Sequence, residues 1–213
     1  MLVLSAFVRD FGKMKLWTVH PVEVWNCLRD AGEVWVDASK KPTGYLHPPY
    51  RWLADQMSSR LMGSSGQLLW FAYCSRPDLR WVRHSRLAGQ LNVLIEFTPP
   101  PGNAFIFPKW AWNKIFCQQY LALSRDQHRE WNRKENASMG RNFKNQRESL
   151  PKILHAELEK SWERLFVPDL PARCSWERSL VGEGFEAVVV VLRLGWVNQV
   201  TEFVGTGAWG KIK

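Results

Sequence analysis

Lys15-Leu16-Trp17-Thr18-Val19-His20-Pro21-Val22-Glu23-Val24-Trp25 runs on through Leu28 to Gly32, and Glu33-Val34-Trp35-Val36-Asp37 follows directly. This stretch reads as strand, helix, glycine stop and second strand. Leu16, Val19 and the two tryptophans suit a partly buried strand. Pro21 suits a first helical position, where a fixed φ is pre-set for the helix and the missing N–H is one the first turn leaves unpaired anyway. Val22, Trp25 and Leu28 recur at helical spacing, and Gly32 permits a left-handed cap. Glu33 to Asp37 alternates, which predicts the second strand. Thr18 and His20 are the polar positions of the first strand. Each is open to two readings: a group facing a ligand, or an ordinary packed, capping or surface residue.

Working outward, Tyr50 to Met57 and Leu61 keep a helical period after Pro48-Pro49, and Gly63-Ser64-Ser65-Gly66 breaks it. Leu68 to Tyr73 is apolar throughout and predicts a buried strand; an Arg-rich loop separates it from a second at Leu91 to Phe97. Three prolines at 99 to 101 end that strand. Ala104 to Phe107 suits a short strand, and Pro108 starts a helix with Trp112, Ile115, Phe116 and Tyr120 on one face. Ser149 is placed to cap a helix that carries Leu150, Ile153, Leu154, Leu158, Trp162 and Leu165. Phe185 to Leu192 is nearly all β-branched, as expected of one central strand covered on both faces, and Gln199 to Val204 can pair beside it. Strands, then helices, then strands predict an α+β fold. The expectation is a single domain with a central mixed or antiparallel sheet formed from both ends of the chain and helices packed on it. That domain spans 14–213 with a basic loop at about 125–148, and residues 1–13 are an N-terminal extension, with Met1 or Met14 as the natural start.

Charge restricts the partners. Lys and Arg number 29 against 20 Asp and Glu, giving a net charge of +9 and a pI near 9.6. A nucleic acid or another acidic macromolecule is therefore expected. Arg76, Arg80, Arg83 and Arg86 surround Trp81 and His84. A second cluster holds Arg129, Arg133, Lys134, Arg141 and Lys144. Both can bind phosphates, although the second also suits a solvated helix followed by a polar loop. The chain has 13 tryptophans. Trp81, Trp110, Trp131 and Trp162 have a Lys or Arg within two positions, a pattern that fits base stacking or the amphipathic edge of a core.

Four cysteines at 27, 74, 117 and 174 form no close pair. That spacing excludes a zinc knuckle and a CxxC redox pair, so no metal is expected and a reducing cytoplasm is the simplest setting. No run reaches the length of a membrane span. The five histidines are scattered, without a nucleophile elbow, HExxH or phosphate loop, which disfavours a conventional hydrolase.

Several short phrases together resemble the bacterial domain-of-unknown-function family 3841: Lys15-Leu16-Trp17-Thr18 with its helix and Gly32; Trp52-Leu53 and Gln56-Met57 with Arg60; Pro77-Asp78-Leu79-Arg80; Ile95-Glu96; the helix near Trp112; and Ser161-Trp162-Glu163-Arg164-Leu165-Phe166. The resemblance spans most of the chain from residue 14 and brings no established activity. The chain departs from it where Glu186-Ala187-Val188-Val189-Val190-Val191 replaces a Gln-Ala-Thr-Phe-Trp-Glu strand. Pro108-Lys109-Trp110-Ala111-Trp112 also replaces an acidic segment.

The opening layout is more remotely similar to ADP-ribosyltransferases, whose first strand faces a nicotinamide nucleotide and whose late glutamate binds the ribose. That similarity implies NAD as cofactor, Trp17, Thr18, His20 and Arg80 as its contacts, and Glu186 or Glu202 as the catalytic carboxylate. Arg80 would hold the pyrophosphate, since its forked donors match phosphate oxygens. The target would be a nucleic acid or a protein. Loss of the family's late glutamate implies a weakened or inactive enzyme unless one of those two residues substitutes. The alternative expectation is a non-catalytic module that binds nucleic acid or protein through its Arg/Trp surface.

Overall fold

A computed structural model describes residues 14–36, 47–139, 151–167, 170–171, 174 and 184–207. In chain order the elements are β1 (Leu16–Pro21), α1 (Val22–Ala31), β2 (Glu33–Trp35), α2 (His47–Met57), β3 (Trp70–Tyr73), α3 (Leu79–His84), β4 (Leu91–Phe97) and β5 (Ala104–Pro108). Then come α4 (Lys109–Phe116), α5 (Arg125–Met139), α6 (Lys152–Trp162), a 3₁₀ turn (Glu163–Phe166), β6 (Phe185–Val189), β7 (Val191–Arg193), a second 3₁₀ turn (Leu194–Trp196) and β8 (Val197–Val204). The fold is α+β. Six strands form one sheet in the order β5-β6-β3-β1-β4-β8, and β2 pairs with β7 in a two-stranded one. β1 is antiparallel to β3 and β4, β3 to β6, and β4 to β8, so both ends of the chain build the sheet.

The chain divides into two compact units, residues 1–106 with 185–213, and residues 107–184. In the first, strand alternation gives the sheet two faces. Leu16, Ala72, Val93, Ile95, Phe97, Ala187 and Val189 share one face and bury against Leu28 of α1 and Leu192 of β7. Val19, Leu94 and Phe203 share the other, where Val82 and Leu79 of α3 cover them. Gly32 ends α1 as its sequence suggests: φ is 77° and its N–H bonds the Leu28 carbonyl at 2.9 Å.

Several expectations need correction. Pro21 closes β1 and caps α1 from outside the helix, one position earlier than expected. Residues 79–84, expected as part of a loop, form α3, because the Asp78 carboxylate accepts from the Arg80 backbone N–H and caps the turn. The run Phe185 to Leu192 is not one strand. β6 ends at Val189 and β7 begins at Val191 in the other sheet; a uniformly apolar run satisfies either sheet and carries no mark of where the chain changes partner. Ser149 lies outside the described residues, and Pro151 stands at the cap of α6.

In the second unit α4 buries Trp110, Ala111, Trp112 and Ile115 and ends at Phe116, with Gln118 left-handed at φ 53°. Tyr120 therefore leaves the helix it was expected to line and stacks on Trp131 of α5, ring centroids 4.5 Å apart. The phrase from Ser161 to Phe166 grips this turn. Ser161 Oγ accepts from the Leu121 N–H at 3.0 Å, and Trp162 Nε1 donates to the Gln119 carbonyl at 3.0 Å. Arg164 donates to the Leu121 carbonyl at 2.7 Å and the Tyr120 hydroxyl at 2.8 Å.

Candidate functional site

β1 registers with β4 along its whole length, from Leu16↔Phe97 to Pro21↔Asn92, yet with β3 it registers at one pair, Trp17↔Tyr73. Beyond that pair side chains meet the facing carbonyls. Thr18 Oγ1 donates to the Phe71 carbonyl at 3.0 Å, and Arg86 Nη2 donates to the Val19 carbonyl at 3.0 Å. The two central strands thus part just past Trp17. A split in a sheet interior is stable only when its backbone groups find substitutes, and these two side chains supply them.

Thr18 is buried, and its single hydroxyl hydrogen goes to Phe71. Its oxygen is 2.7 Å from His20 Nε2, which must then carry the proton of a neutral imidazole. The His20 ring stands edge-on to Trp70 with centroids 4.6 Å apart, and Trp70 Nε1 donates to the Val34 carbonyl at 3.0 Å. Burial first, and the Arg86 charge second, push the His20 pKa down to about 3. The unfolded residue titrates near 6.5. The folded protein therefore refuses a proton that the unfolded chain accepts, so this contribution to stability is complete above pH 6.5 and falls as pH drops toward 3. Urea unfolding from about pH 5.5 to pH 4 should show stability declining by about 1.4 kcal/mol per pH unit from this group, with about half that slope near pH 6.5. His20→Gln should flatten the profile by one proton; an unchanged slope would show that His20 is not held neutral.

On the opposite face a polar row crosses five strands: Gln199, Glu96, Trp17, Tyr73 and Glu186 are register partners in succession. Lys15 Nζ lies 2.7 Å from Glu96 Oε1, and chiefly through that bond holds the carboxyl below its usual range. At the other end, Trp17 and Glu186 are half-buried and Tyr73 is 36% exposed. Burial raises the Tyr73 and Tyr50 hydroxyl pKa values, and the Glu186 charge raises both further. Arg86 opposes that rise at Tyr73. Tyr50, on α2, stands edge-on to Phe71 with centroids 5.5 Å apart. The Cys74 thiol is pushed up to about 12 by burial and then by Glu186, so it is no nucleophile at neutral pH. The result is one carboxylate among aromatic rings beside the split.

The candidate residues fall into distinct places. Trp17 and Glu186 share this row, with Tyr73 between them. Thr18 and His20 lie on the other face. Glu202 lines up with His20 through Val93, on the face away from Glu186 and with three strands between them, so the two glutamates cannot serve one site together. Arg80 is 88% exposed and clasped by Asp78 through Nε and Nη2, with Nη2 2.8 Å from Oδ2, so a phosphate would meet its Nη1 side next to a carboxylate that already offsets its charge. Arg76, Trp81 and Arg83 are exposed, whereas Arg86 is turned inward, its Nε buried without a partner. On α5, in the other unit, Arg129 lies 3.7 Å from Asp126, Lys134 is 2.7 Å from Glu157, and Arg133 is exposed. Arg141 and Lys144 lie outside the described residues.

Sequence reasoning missed Tyr73, Tyr50 and the inward role of Arg86. The available signal was slight: Tyr73 is the one polar tip at the end of an apolar strand. Among the described residues no group of three or more His, Cys, Asp or Glu is placed to hold a metal ion, and no helix is long and apolar enough to cross a membrane.

No curated protein and no solved structure matches the chain. A family model does match, over residues 15–185, which takes in β1, α1, α3 and the gripping phrase of α6 and ends one residue before Glu186. With most of its length covered by that match, the chain belongs to the family described as Domain of unknown function (DUF3841).

Proposed function

We propose that the protein is an ADP-ribosyltransferase-like enzyme that consumes NAD at the row formed by Trp17, Tyr73 and Glu186. The observation that supports this reading is that row itself: two aromatic rings and a partly exposed carboxylate on three adjacent strands, beside a split in the sheet. A nicotinamide ring carries positive charge, and aromatic faces attract flat cations. When the bond between the ribose anomeric carbon and the ring nitrogen breaks, its electron pair neutralises the ring and the carbon becomes cationic. Glu186 would accept a hydrogen bond from a ribose hydroxyl and oppose that developing charge, a stabilisation that is strongest when the group is fixed and partly shielded from water. An oxygen or nitrogen of the target then bonds to the same carbon and releases its proton. The setting this reading assumes is the cytoplasm, where the four free cysteines stay reduced.

The test is calorimetric titration with NAD at low salt. Saturable binding that weakens at least about tenfold in Tyr73→Ala is expected, the loss of one cation–aromatic contact. Absence of binding at millimolar NAD would remove the reading.

A further inference from the structure

We infer that the acceptor engaged by this protein is single-stranded nucleic acid, held on α3; the binding stands on its own observations, while the name acceptor rests on the transferase reading above. α3 is oriented by its apolar side. Val82 and Leu79 pack onto Val19, Leu94 and Phe203, which leaves Trp81 on the outside with 65% of its surface exposed. Arg76 and Arg83, five positions before it and two after it in the chain, are also exposed. From 76 to 86 the one acidic residue is Asp78, and it is occupied by Arg80. This segment therefore exposes a tryptophan and two arginines with no free carboxylate between them in sequence, on a chain of net charge +9.

That combination selects among anions. A duplex hides its base faces and needs no ring to stack on; an acidic peptide needs only the charges. An unpaired base offers a π-face to Trp81 while its phosphates reach Arg76 and Arg83, so all three features are used.

The surface is also held in place. The Thr206 N–H bonds the Arg83 carbonyl at 2.9 Å, His84 Nδ1 lies 3.0 Å from Thr206 Oγ1, and the Gly207 N–H bonds the Arg86 carbonyl at 2.9 Å, tying α3 and its exit to the end of β8. Arg86, one turn beyond Arg83, reaches the Val19 carbonyl at the split. The segment that carries Trp81 is thus joined to β1 next to Trp17, which packs against the same cluster as Val82 and Leu79.

Fluorescence anisotropy with a labelled mixed-sequence 20-nucleotide strand, as DNA and as RNA, tests this, with the matching duplex and poly-glutamate as competitors. Wild-type binding should weaken steeply with salt. Trp81→Ala should weaken it about tenfold or more, and Trp81→Phe should restore most of the loss. Arg76→Ala with Arg83→Ala should lower the logarithmic salt slope by about 1.4. No strand binding at low salt, wild-type affinity in Trp81→Ala, or equal competition by duplex or poly-glutamate would each overturn the inference. Strand binding is read without NAD, and Ile153→Ala, on the exposed side of α6, is run alongside and should bind the strand as wild type does. Failed NAD cleavage by the wild type therefore removes the transferase reading and leaves strand binding, whereas failed strand binding removes the inference and leaves the transferase reading. With labelled NAD, transfer to the strand is expected; label found on protein alone would overturn the assignment of the strand as acceptor.

Discussion

Glu186→Gln is expected to lower NAD cleavage by about 10²- to 10³-fold, the usual result of removing one preorganised electrostatic partner of a transition state. The substitution keeps the shape of the side chain and removes its charge. Glu186 sits near the start of β6, opposite Tyr73 in a ladder that Trp70↔Val189, Phe71↔Val188 and Ala72↔Ala187 hold in register, so the strand itself should not move. The charge has a second readout that needs no NAD. It helps to raise the Tyr50 and Tyr73 hydroxyl pKa values, and neutralising it should shift tyrosinate formation, followed by ultraviolet absorbance, to lower pH. Burial, the larger cause in both, remains. A variant that shows the tyrosine shift but cleaves NAD at the wild-type rate would prove that Glu186 is folded as described and is not the working carboxylate. Glu202 offers a control, since it stands on the opposite face in line with His20, and Glu202→Gln should leave both readouts unmoved.

Trp162→Ala should destabilise the fold by about 3–5 kcal/mol, the range for deleting a large aromatic from a close-packed interior. Trp162 is only 2% exposed. Its indole also satisfies the Gln119 carbonyl, just after the left-handed Gln118, so truncation opens a cavity and orphans an acceptor together. Trp162→Phe separates the two effects: most of the volume returns, and the residual loss should be about 1 kcal/mol for the hydrogen bond. On the same helix Ile153 is 78% exposed, and Ile153→Ala should change stability by less than about 0.5 kcal/mol. Urea unfolding of the three variants decides the matter; a loss below about 1 kcal/mol for Trp162→Ala would mean that the turn at 119–121 is held by Ser161 and Arg164 alone.

The gripping phrase shows how a recognisable sequence pattern acquires its physical meaning. Ser161, Trp162 and Arg164 identify the family when read along the chain, yet each contacts residues about 40 positions away, between Gln119 and Gln127. Nothing in their spacing names those partners.

Local physics was legible in the chain itself. The β1–α1–β2 unit follows from Leu16, Val19, Leu28 and Gly32, because periodicity and the left-handed cap act within a few residues. The α+β class and the use of both chain ends in the sheet follow from the order of apolar runs. Facing and partnership were not legible. Thr18 and His20 read equally as ligand-facing or as packed polar residues, and the sheet sets them on a face where Thr18 bonds the Phe71 carbonyl and His20 bonds Thr18 against the Trp70 ring. Arg86 reads as one more surface cation, and the split between β1 and β3 draws it inward. Trp17, Tyr73 and Glu186 lie far apart in the chain and meet because strands β1, β3 and β6 are neighbours in the sheet. Short-range periodicity and caps are encoded in neighbouring residues, so sequence alone determined them; which strand lies beside which is settled by long-range burial, so only the tertiary structure decided which residues share the candidate row.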